Sequence, residues 1–431
     1  MDCNKQYKYY LHLINIYQLN IYDKTLLFNL IFDALEISLQ ELKNIFHYVI
    51  HDDLYYEIND YIYNIMYENY IKTNFILENY NLSQDTSIEI IYKICKISTK
   101  IIFKYIFPKR SYSKSFILNN LTIKKKEKLK NKINYLQNII QPEQRTDAWY
   151  IFRNSTLTAS NIWKIFSTEY TQNQLIIEKC EPINVDKFKV TNLKSPLHWG
   201  QKYEPVSILY YEYIHNTIVS EFGCIPHNKY SFLAASPDGI VCDENSNIYG
   251  RMLEIKNVVS REITGIPKME YWIQMQLQME VCDLNECDFL ETKFTEFDSK
   301  EDYINDNISE YKGIILHYTY NNGPHYVYAP FMLNDIECEE FNIWLKKEEE
   351  KNIDKEFIDY IYWKIEKISC VLVVRNKFWF DLVVNDIEYF WKVIEKERAD
   401  NSYKERIKNK RKLELKDNRE SNGFEFGKCL L

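Results

Sequence analysis

The stretch from Tyr230 to Lys256 constrains the fold more than any other part of the sequence. Two apolar runs flank the turn-forming sequence Ser236-Pro237-Asp238-Gly239, and a second polar turn precedes a third apolar run. In the first turn, proline fixes its own φ, and we predict that Gly239 supplies a positive φ. The predicted strands cover 230–235, 240–242 and 248–256.

Two acidic residues occupy special positions in this stretch. Asp238 lies in the first turn, and Glu254 lies within the third strand, two residues before Lys256. Because side chains alternate along a strand, Glu254 and Lys256 share one face, whereas Leu253 and Ile255 point to the other. An aspartate at a strand end beside a Glu-x-Lys strand can hold a hard divalent cation next to an ammonium group. The alternative is a surface hairpin with a salt bridge, which the apolar strands around both acids disfavour.

Glycine and proline divide the chain into regions. Glycine is absent from 1–199 and proline from 1–107, whereas nine of the ten prolines and seven of the nine glycines lie in 142–330. This distribution predicts helices towards both ends of the chain and a turn-rich sheet in the middle.

The predicted organisation follows from these regions. We predict a helical N-terminal domain over 1–107, a basic linker or arm over 108–144, a mixed α/β core over 145–335, a C-terminal α/β extension over 336–400 and a charged tail over 401–431. Periodicity further predicts helices over 161–166 (N-capped by Thr158 or Ser160), 334–350, 355–367 and 385–399, and strands near 287–293, 313–319, 325–330, 370–375 and 378–383.

Charge is distributed unevenly along the chain. The net charge of −8 excludes a uniformly basic nucleic-acid binder, but residues 100–132 hold 11 Lys or Arg and one acid, Glu127. Six of these lysines form a run, namely Lys124, Lys125, Lys126, Lys128, Lys130 and Lys132. Such a run can contact nucleic-acid phosphates or form an ordinary solvated surface, and the sequence leaves both open.

The cysteines and the hydropathy pattern indicate a compartment. Ten cysteines are scattered without a CxxC pair, which favours buried thiols in a reducing, intracellular environment. We expect neither a signal peptide nor a membrane span, because no apolar run approaches the roughly 20 residues that a span needs.

Common catalytic motifs are absent. The sequence lacks GxxxxGK[ST], GxGxxG, GxSxG and HExxH, so nucleotide-loop, serine-hydrolase and zincin chemistry of those types is excluded. Asp238, Glu254 and Lys256 are left as the candidate reactive set.

Five blocks in order resemble the YqaJ-like viral recombinase family, which includes the lambda-type exonucleases. The blocks are RTDAWYIFRNSTLTAS (145–160), WGQKYEP (199–205), SPDG (236–239), LEIK (253–256) and YWIQMQLQM (271–279). The resemblance implies a nuclease core of the PD-(D/E)xK superfamily over 145–335, with a mixed central sheet flanked by helices. The C-terminal segment is similar to extensions found in members from large DNA viruses.

The resemblance also implies a metal site. Asp238 and Glu254 would bind Mg²⁺, for which Mn²⁺ can substitute, together with the main-chain carbonyl of Ile255. Glu204 would complete the acidic cluster, and Lys256 would position or deprotonate the attacking water.

Three further positions match the family. Gln274 corresponds to a glutamine that orients the site, and Arg153 and Ser160 correspond to residues that hold a DNA 5′-phosphate. The chain departs from the family at Ser155, where a glycine is usual, which puts the demand for a phosphorylated end in doubt.

The resemblance implies a Mg²⁺-dependent deoxyribonuclease, and we expect an exonuclease that resects double-stranded DNA ends for viral recombination, repair or replication. An endonuclease or junction resolvase on the same core is one alternative, and a DNA-binding scaffold with a vestigial site is another. The expected partners are DNA ends and a single-strand annealing protein, with a homo-oligomer left open. The expected location is the cytoplasmic viral factory or the nucleus of a host cell.

Overall fold

A computed structural model gives the fold. The residues it describes are 30–31, 33–38, 54–72, 83–101, 110–112, 122–185, 192–321 and 323–406. Much of the predicted N-terminal domain and charged tail therefore lies outside the described residues. The chain divides into two compact units, Met1–Arg110 with Asn376–Val384, and Ser111–Arg375 with Asn385–Leu431.

Among the described residues, the helices Leu54–Met66 and Gln84–Ile101 belong to the first unit, and most other helices and all the strands belong to the second unit. The helices in chain order are α1 Leu54–Met66, α2 Gln84–Ile101, α3 Ile123–Asn138, α4 Asp147–Asn154, α5 Glu169–Cys180, α6 Pro196–His215, α7 Met269–Val281, α8 Lys300–Asn305, α9 Glu339–Lys351 and α10 Lys377–Asp400. The strands are β1 Leu157–Thr158, β2 Val219–Ser220, β3 Ile225–Pro226, β4 Leu233–Ala235, β5 Gly239–Val241, β6 Met252–Asn257, β7 Glu286–Glu296, β8 Lys312–Tyr320, β9 Gly323–Tyr328 and β10 Glu356–Val374.

A seven-stranded mixed sheet forms the centre of this unit. Its order is β2-β5-β6-β7-β10-β8-β9, in which β6 and β7 run parallel and the other neighbours antiparallel. Strands β1, β4 and β3 form a small second sheet. The predicted mixed α/β fold with a central sheet is confirmed.

Helices α6 and α7 cover opposite faces of the sheet. Tyr211 of α6 packs with Leu253 and Leu290, and its hydroxyl donates to Asp288 on β7. Tyr271 of α7 packs instead against Phe289, the next residue of β7, with ring centroids 5.7 Å apart. Since successive strand residues face opposite ways, the two helices bury the two sides of one sheet.

Helices α1 and α2 lie in the part of the first unit that the structure describes, and the helical N-terminal domain over 1–107 stays a prediction. Ile58, Ile62 and Met66 of α1 are fully buried, as are Ile91 and Ile94 of α2. Their spacing of three and four residues places each set on one helix face, and α1 packs against α2. The boundary at residue 107 stays a prediction.

Strand β10 corrects the prediction of a helix over 355–367 and a short strand near 370–375. Glu356–Val374 is one continuous strand, paired with β7 on one side and β8 on the other. Register shifts at Phe357/Asp359 and Ile365/Lys367 interrupt the two-residue alternation. The sequence therefore lacks a clean strand period, and pairing with two distant strands decides the conformation.

Two further local predictions were wrong. The strand predicted near 378–383 is the start of α10, where the Asn376 side chain accepts a hydrogen bond from the Trp379 N–H at 2.9 Å, as a helix N-cap does. The segment Ile162–Phe166 is a 3₁₀ helix preceded by Asn161, and neither Thr158 nor Ser160 caps it.

The prediction that Gly239 supplies a positive φ was also wrong. Positive φ angles occur at Gly250 and Gly265 and not at Gly239. A Cβ on Gly239 would come within 2.1 Å of the Val219 side chain on the neighbouring strand. The glycine is thus explained by close strand packing, and the turn brings Asp238 to the end of β5.

Among the described residues, no helix is both long enough and apolar enough to cross a membrane. The eight described cysteines are free, and five of them are buried.

Candidate active site

Asp238 and Glu254 lie side by side on the face of the sheet that α7 covers. Gly239 of β5 pairs with Leu253 of β6, so Asp238 is the next position opposite Glu254. Strand pairing ends there, and the Asp238 carboxylate accepts a hydrogen bond from the Ile255 N–H at 2.7 Å. Directly opposed residues of antiparallel strands point to the same face, so the predicted juxtaposition of the two acids is present.

Glu254 is the most enclosed member of the site. Its side chain is 0 % exposed, and three groups donate to its carboxylate. Gln274 and Gln278, one turn apart on α7, each donate an amide N–H, to Oε1 and Oε2 respectively, both at 2.7 Å. The Lys256 ammonium forms an ion pair with Oε1. These partners fix both oxygens of a buried carboxylate that would otherwise be costly to desolvate.

Lys256 is held between a carboxylate and an aromatic ring. Its side chain is 26 % exposed, pairs with Glu254 and lies 5.2 Å from the centre of the Tyr271 ring. The pKa of Lys256 is raised although burial works against the charged form, because Glu254 and Asp238 favour it. The ammonium is therefore present at neutral pH, next to both acids and still reachable from solvent.

The environment of Asp238 favours a bound cation. Desolvation by the surrounding protein, the negative charge of Glu254 and that of Glu204 raise the pKa of Asp238 well above its ordinary value. The amide oxygen of Gln278 is buried and makes no hydrogen bond to the described part of the chain. Clustered carboxylates and an unused carbonyl-type acceptor are the oxygen donors that Mg²⁺ prefers, so the residues present fit this ion.

Glu204 lies at the border of this cluster. Arg145 holds its carboxylate through one guanidinium nitrogen, at 2.9 Å and 3.1 Å from the two oxygens. Burial raises the pKa of Glu204, while Arg145 and Lys256 oppose the rise. Over the described ranges, the only three metal-ligating side chains whose donor atoms all lie within 4.8 Å of one another are His215, Asp288 and Cys370. Glu204, Asp238 and Glu254 do not form such a set of three. Glu204 is close enough for its negative charge to act on Asp238, and its role as a metal ligand stays a prediction.

Arg153 and Ser160 contact each other, and their role in binding a phosphate stays a prediction. The Arg153 guanidinium donates to the Ser160 hydroxyl at 2.8 Å and stacks 4.1 Å from the centre of the Trp149 ring. The Trp149 indole N–H in turn donates to Ser236 at 3.1 Å, two residues before Asp238. This chain of contacts links the predicted phosphate residues to the turn that carries Asp238.

Ser155 fits its position without strain. It ends α4 with φ −84° and ψ 0°, a conformation that needs no glycine, and its hydroxyl donates to the Phe152 carbonyl at 2.8 Å. Beneath it, buried Lys179 donates to the Arg153 carbonyl at 2.5 Å, and burial lowers the pKa of Lys179 to about 8. The departure at Ser155 therefore leaves the local backbone and the Arg153 contacts in place.

Two residues of the site received no role from the sequence. Gln278 follows Gln274 by one helical turn within the quoted block, so its spacing was a usable signal. Arg145 offered no such sequence signal. Its φ of +66° is a left-handed conformation that is uncommon for residues other than glycine, so the sequence does not predict where its side chain lies. It precedes the Thr146 N-cap of α4 and reaches Glu204 from a distant part of the chain.

Gln278 supplies a test of the hydrogen bonds around Glu254. For the metal-dependent DNA cleavage that the resemblance implies, we expect Gln278→Met, which keeps the side chain's bulk but removes its N–H donor, to slow the rate by roughly 10–100-fold and to raise the metal concentration needed. Gln276→Met is the matched control, because Gln276 is equally buried on α7 but donates to the Val374 carbonyl. Metal titrations of cleavage rate would check this, and equal effects of the two substitutions would contradict it.

Comparison with known proteins shows what this region is similar to. Residues 148–285 match the YqaJ-like viral recombinase domain. The match overlaps the part of the chain that holds the five sequence blocks, and the resemblance read from those blocks is confirmed. The match contains Arg153, Asp238, Glu254 and Gln274, and ends before β7.

Two individual proteins that resemble this chain share less than a third of its residues. The uncharacterized protein R354 of Acanthamoeba polyphaga mimivirus is 28 % identical over 338 residues, which cover 67 % of this chain and 57 % of that protein. The chain thus spans little more than half the length of that relative. Among solved structures, the alkaline exonuclease LHK-Exo of Laribacter hongkongensis is 18 % identical, with a TM-score of 0.35 over 60 % of this chain and 97 % of that one. Its complex with dAMP gives a TM-score of 0.36.

Proposed function

We propose that this protein is a Mg²⁺-dependent deoxyribonuclease that degrades double-stranded DNA from its ends. The observation that carries the proposal is the placement of Asp238, Glu254 and Lys256 on one face of adjacent strands, inside a YqaJ-like viral recombinase domain. A role in viral recombination, repair or replication is part of the proposal and agrees with the viral source of R354.

The proposed reaction is hydrolysis of a phosphodiester, which needs a nucleophile made from water and neutralisation of phosphate charge. Asp238 and Glu254, with the Ile255 carbonyl, would hold the ion, and Mn²⁺ would substitute. Bound Mg²⁺ would supply Lewis-acid stabilisation of phosphate oxygens and lower the pKa of a coordinated water.

Lys256 carries the protein's part of the chemistry. Its ammonium lies beside both acids and is partly exposed, so it can orient the attacking water and stabilise negative charge as it develops. Gln274 and Gln278 hold the Glu254 carboxylate in one orientation by donating to its separate oxygens. Arg145 forms an ion pair with Glu204, whose charge acts on Asp238.

A 5′-phosphate would bind at Arg153 and Ser160, which already contact each other. The guanidinium is well suited to a terminal phosphate because it presents several N–H donors in one plane. The link from Arg153 through Trp149 to Ser236 would then couple end binding to the position of the metal-site turn.

The test uses the full chain and four DNA substrates: linear duplexes with 5′-phosphate or 5′-hydroxyl ends, a closed circle and a nicked circle. We expect Mg²⁺-dependent release of nucleotides from linear duplexes, no activity with EDTA, and no cleavage of the closed circle. Glu254→Gln is the control for a contaminating nuclease. Slower digestion of 5′-hydroxyl ends, with the preference lost in Arg153→Gln, would support the phosphate site.

Other outcomes would redirect the proposal. Linearisation of the closed circle would indicate an endonuclease or a junction resolvase on the same core. DNA binding without cleavage under Mg²⁺ or Mn²⁺ would indicate a scaffold protein and overturn the enzymatic assignment.

Helix α3 offers a separate prediction about DNA affinity. Lys124, Lys125 and Lys128 are exposed on it, whereas Lys130 and Lys132 form ion pairs with Glu244 and Asp283. We expect glutamine at positions 124, 125, 126 and 128 to reduce the slope of log affinity against log salt by about 1–3, because each phosphate contact contributes about 0.9. Binding to a short duplex over a salt series would measure it.

A charge-matched variant controls for the change in net charge. It carries glutamine at the exposed positions 346, 347, 351 and 392, which lie on α9 and α10. If the slope of log affinity against log salt is the same for both variants, the α3 lysines form an ordinary solvated surface and do not contact DNA.

A further inference from the structure

Three potential metal ligands converge on the side of the sheet opposite Glu254. His215 ends α6, Asp288 lies on β7 and Cys370 lies on β10. One donor atom from each, an imidazole nitrogen, a carboxylate oxygen and the thiol sulfur, lies within 4.8 Å of the other two. Asp288 precedes Phe289, the register partner of Glu254 on β6, so this cluster faces α6 and is separate from the proposed nuclease site.

The donor set specifies a class of ion. A thiolate and an imidazole are ligands of Zn²⁺ and other borderline-soft metals, whereas Mg²⁺ and Ca²⁺ select oxygen donors. Tetrahedral zinc with bonds of about 2.0–2.3 Å places its ligand atoms about 3.3–3.8 Å apart. Side-chain movements that shift each donor atom by about 1 Å would bring the three atoms from within 4.8 Å of one another to the separations of a tetrahedral zinc site.

The surroundings already orient the carboxylate. The Tyr211 hydroxyl donates to Asp288 Oδ2 at 2.7 Å, and the Tyr211 ring lies 4.4 Å from that of His215. Hydrogen bonds from such neighbouring groups are what hold metal ligands in place. Asp288 and Leu290 point to the side of the sheet opposite Phe289, and Cys370 pairs in register with Leu290. Cys370 packs there against the apolar cluster that contains Tyr211 and Leu290.

The charges leave room for a cation. Arg251 lies 3.5 Å from Asp288 Oδ1, but it also forms an ion pair with Glu286 at 2.6 Å. One buried guanidinium therefore serves two carboxylates. With the thiol proton released to solvent on binding, Zn²⁺ would balance one carboxylate and one thiolate, and Arg251 would balance Glu286.

We propose that His215, Asp288 and Cys370 form a zinc site with water as the fourth ligand. The site would join the end of α6, within the matched domain, to β7 and β10, which follow it in sequence. Its role is structural: it fixes strand β10, which begins 60 residues after the end of β7 in the sequence.

Cobalt provides the test, because Co²⁺ bound to a thiolate gives a near-ultraviolet charge-transfer band that oxygen ligands do not give. The full chain, stripped of metal and kept reduced, is titrated with Co²⁺ in excess Mg²⁺, which occupies the carboxylate site. We expect one equivalent to develop the band, and Zn²⁺ to abolish it by displacement. Zn²⁺ should also raise the thermal midpoint of unfolding.

Variants assign the band to these residues. Cys370→Ser should abolish it, and His215→Gln should weaken cobalt binding at least tenfold. Cys282→Ser is the matched control, because Cys282 is a buried free thiol outside the cluster, and it should keep the band. Absence of the band in the unaltered protein, or its persistence in Cys370→Ser, would overturn the proposal whether or not other variants fold.

Discussion

Replacing Lys256 with alanine should slow DNA cleavage by roughly 10²–10⁴-fold, the range for loss of a group that assists proton transfer or charge stabilisation in the transition state. DNA binding should change little, because phosphate contacts elsewhere supply most of the affinity. Single-turnover cleavage and equilibrium binding, measured on the same duplex, would separate the two. Added Mg²⁺ should not restore the rate, since the substitution leaves the proposed metal ligands in place.

The structure changes the stability expected for this variant. Read as an exposed pair, Lys256 and Glu254 would contribute about 0–1 kcal/mol. Glu254 is in fact fully buried, so removing Lys256 leaves an enclosed carboxylate held by two glutamines and destabilises the fold by more than an exposed pair would. Rates should therefore be compared well below the unfolding midpoint.

Lys312→Ala is the matched control for a general loss of folding. Lys312 also lies over a tyrosine ring, 4.6 Å from the centre of Tyr303, and it begins β8, three strands across the sheet from β6. We expect it to lower stability while leaving the cleavage rate within a few-fold of the unaltered protein. Full activity in Lys256→Ala would refute the assigned role.

The residues of the site that the sequence revealed are those fixed by local structure. Asp238 is set by a Ser-Pro-Asp-Gly turn and Glu254 by strand alternation, so two short segments place both acids before any tertiary contact is known. Gln274 and Gln278 share a helix face for the same reason, although only Gln274 received a role. The family resemblance suggested what each residue does. The two-residue period of strands and the spacing along the helix predicted which face each side chain occupies.

The features that the sequence did not reveal depend on distant pairing. Strand β10 is held by β7 and β8, and its two register shifts remove the alternation that would have identified it. Arg145 meets Glu204 from 59 residues away and takes a conformation that its own sequence does not predict. His215, Asp288 and Cys370 meet only because α6, β7 and β10 are neighbours in the folded sheet.

The second large effect is expected for Glu254→Gln, which should reduce cleavage by about 10³-fold, equivalent to about 4 kcal/mol in the transition state. The amide replaces one acceptor oxygen of Glu254 with a donor. At least one of the three present donors, Gln274, Gln278 or Lys256, would then face an N–H group. The substitution also removes a negative charge beside Asp238, which lowers the pKa of Asp238 towards its ordinary value.

Mg²⁺ dependence distinguishes Glu254→Gln from Lys256→Ala. Because Glu254→Gln weakens a proposed ligand and leaves Lys256 in place, high Mg²⁺ should recover part of the lost rate, whereas Lys256→Ala should show the same deficit at every Mg²⁺ concentration. The measurement is a Mg²⁺ titration of single-turnover cleavage for both variants, with folding checked by thermal unfolding. A Lys256→Ala enzyme rescued by Mg²⁺ as well as Glu254→Gln would mean that Lys256 acts through the ion's affinity, by orienting Glu254, and not on the water.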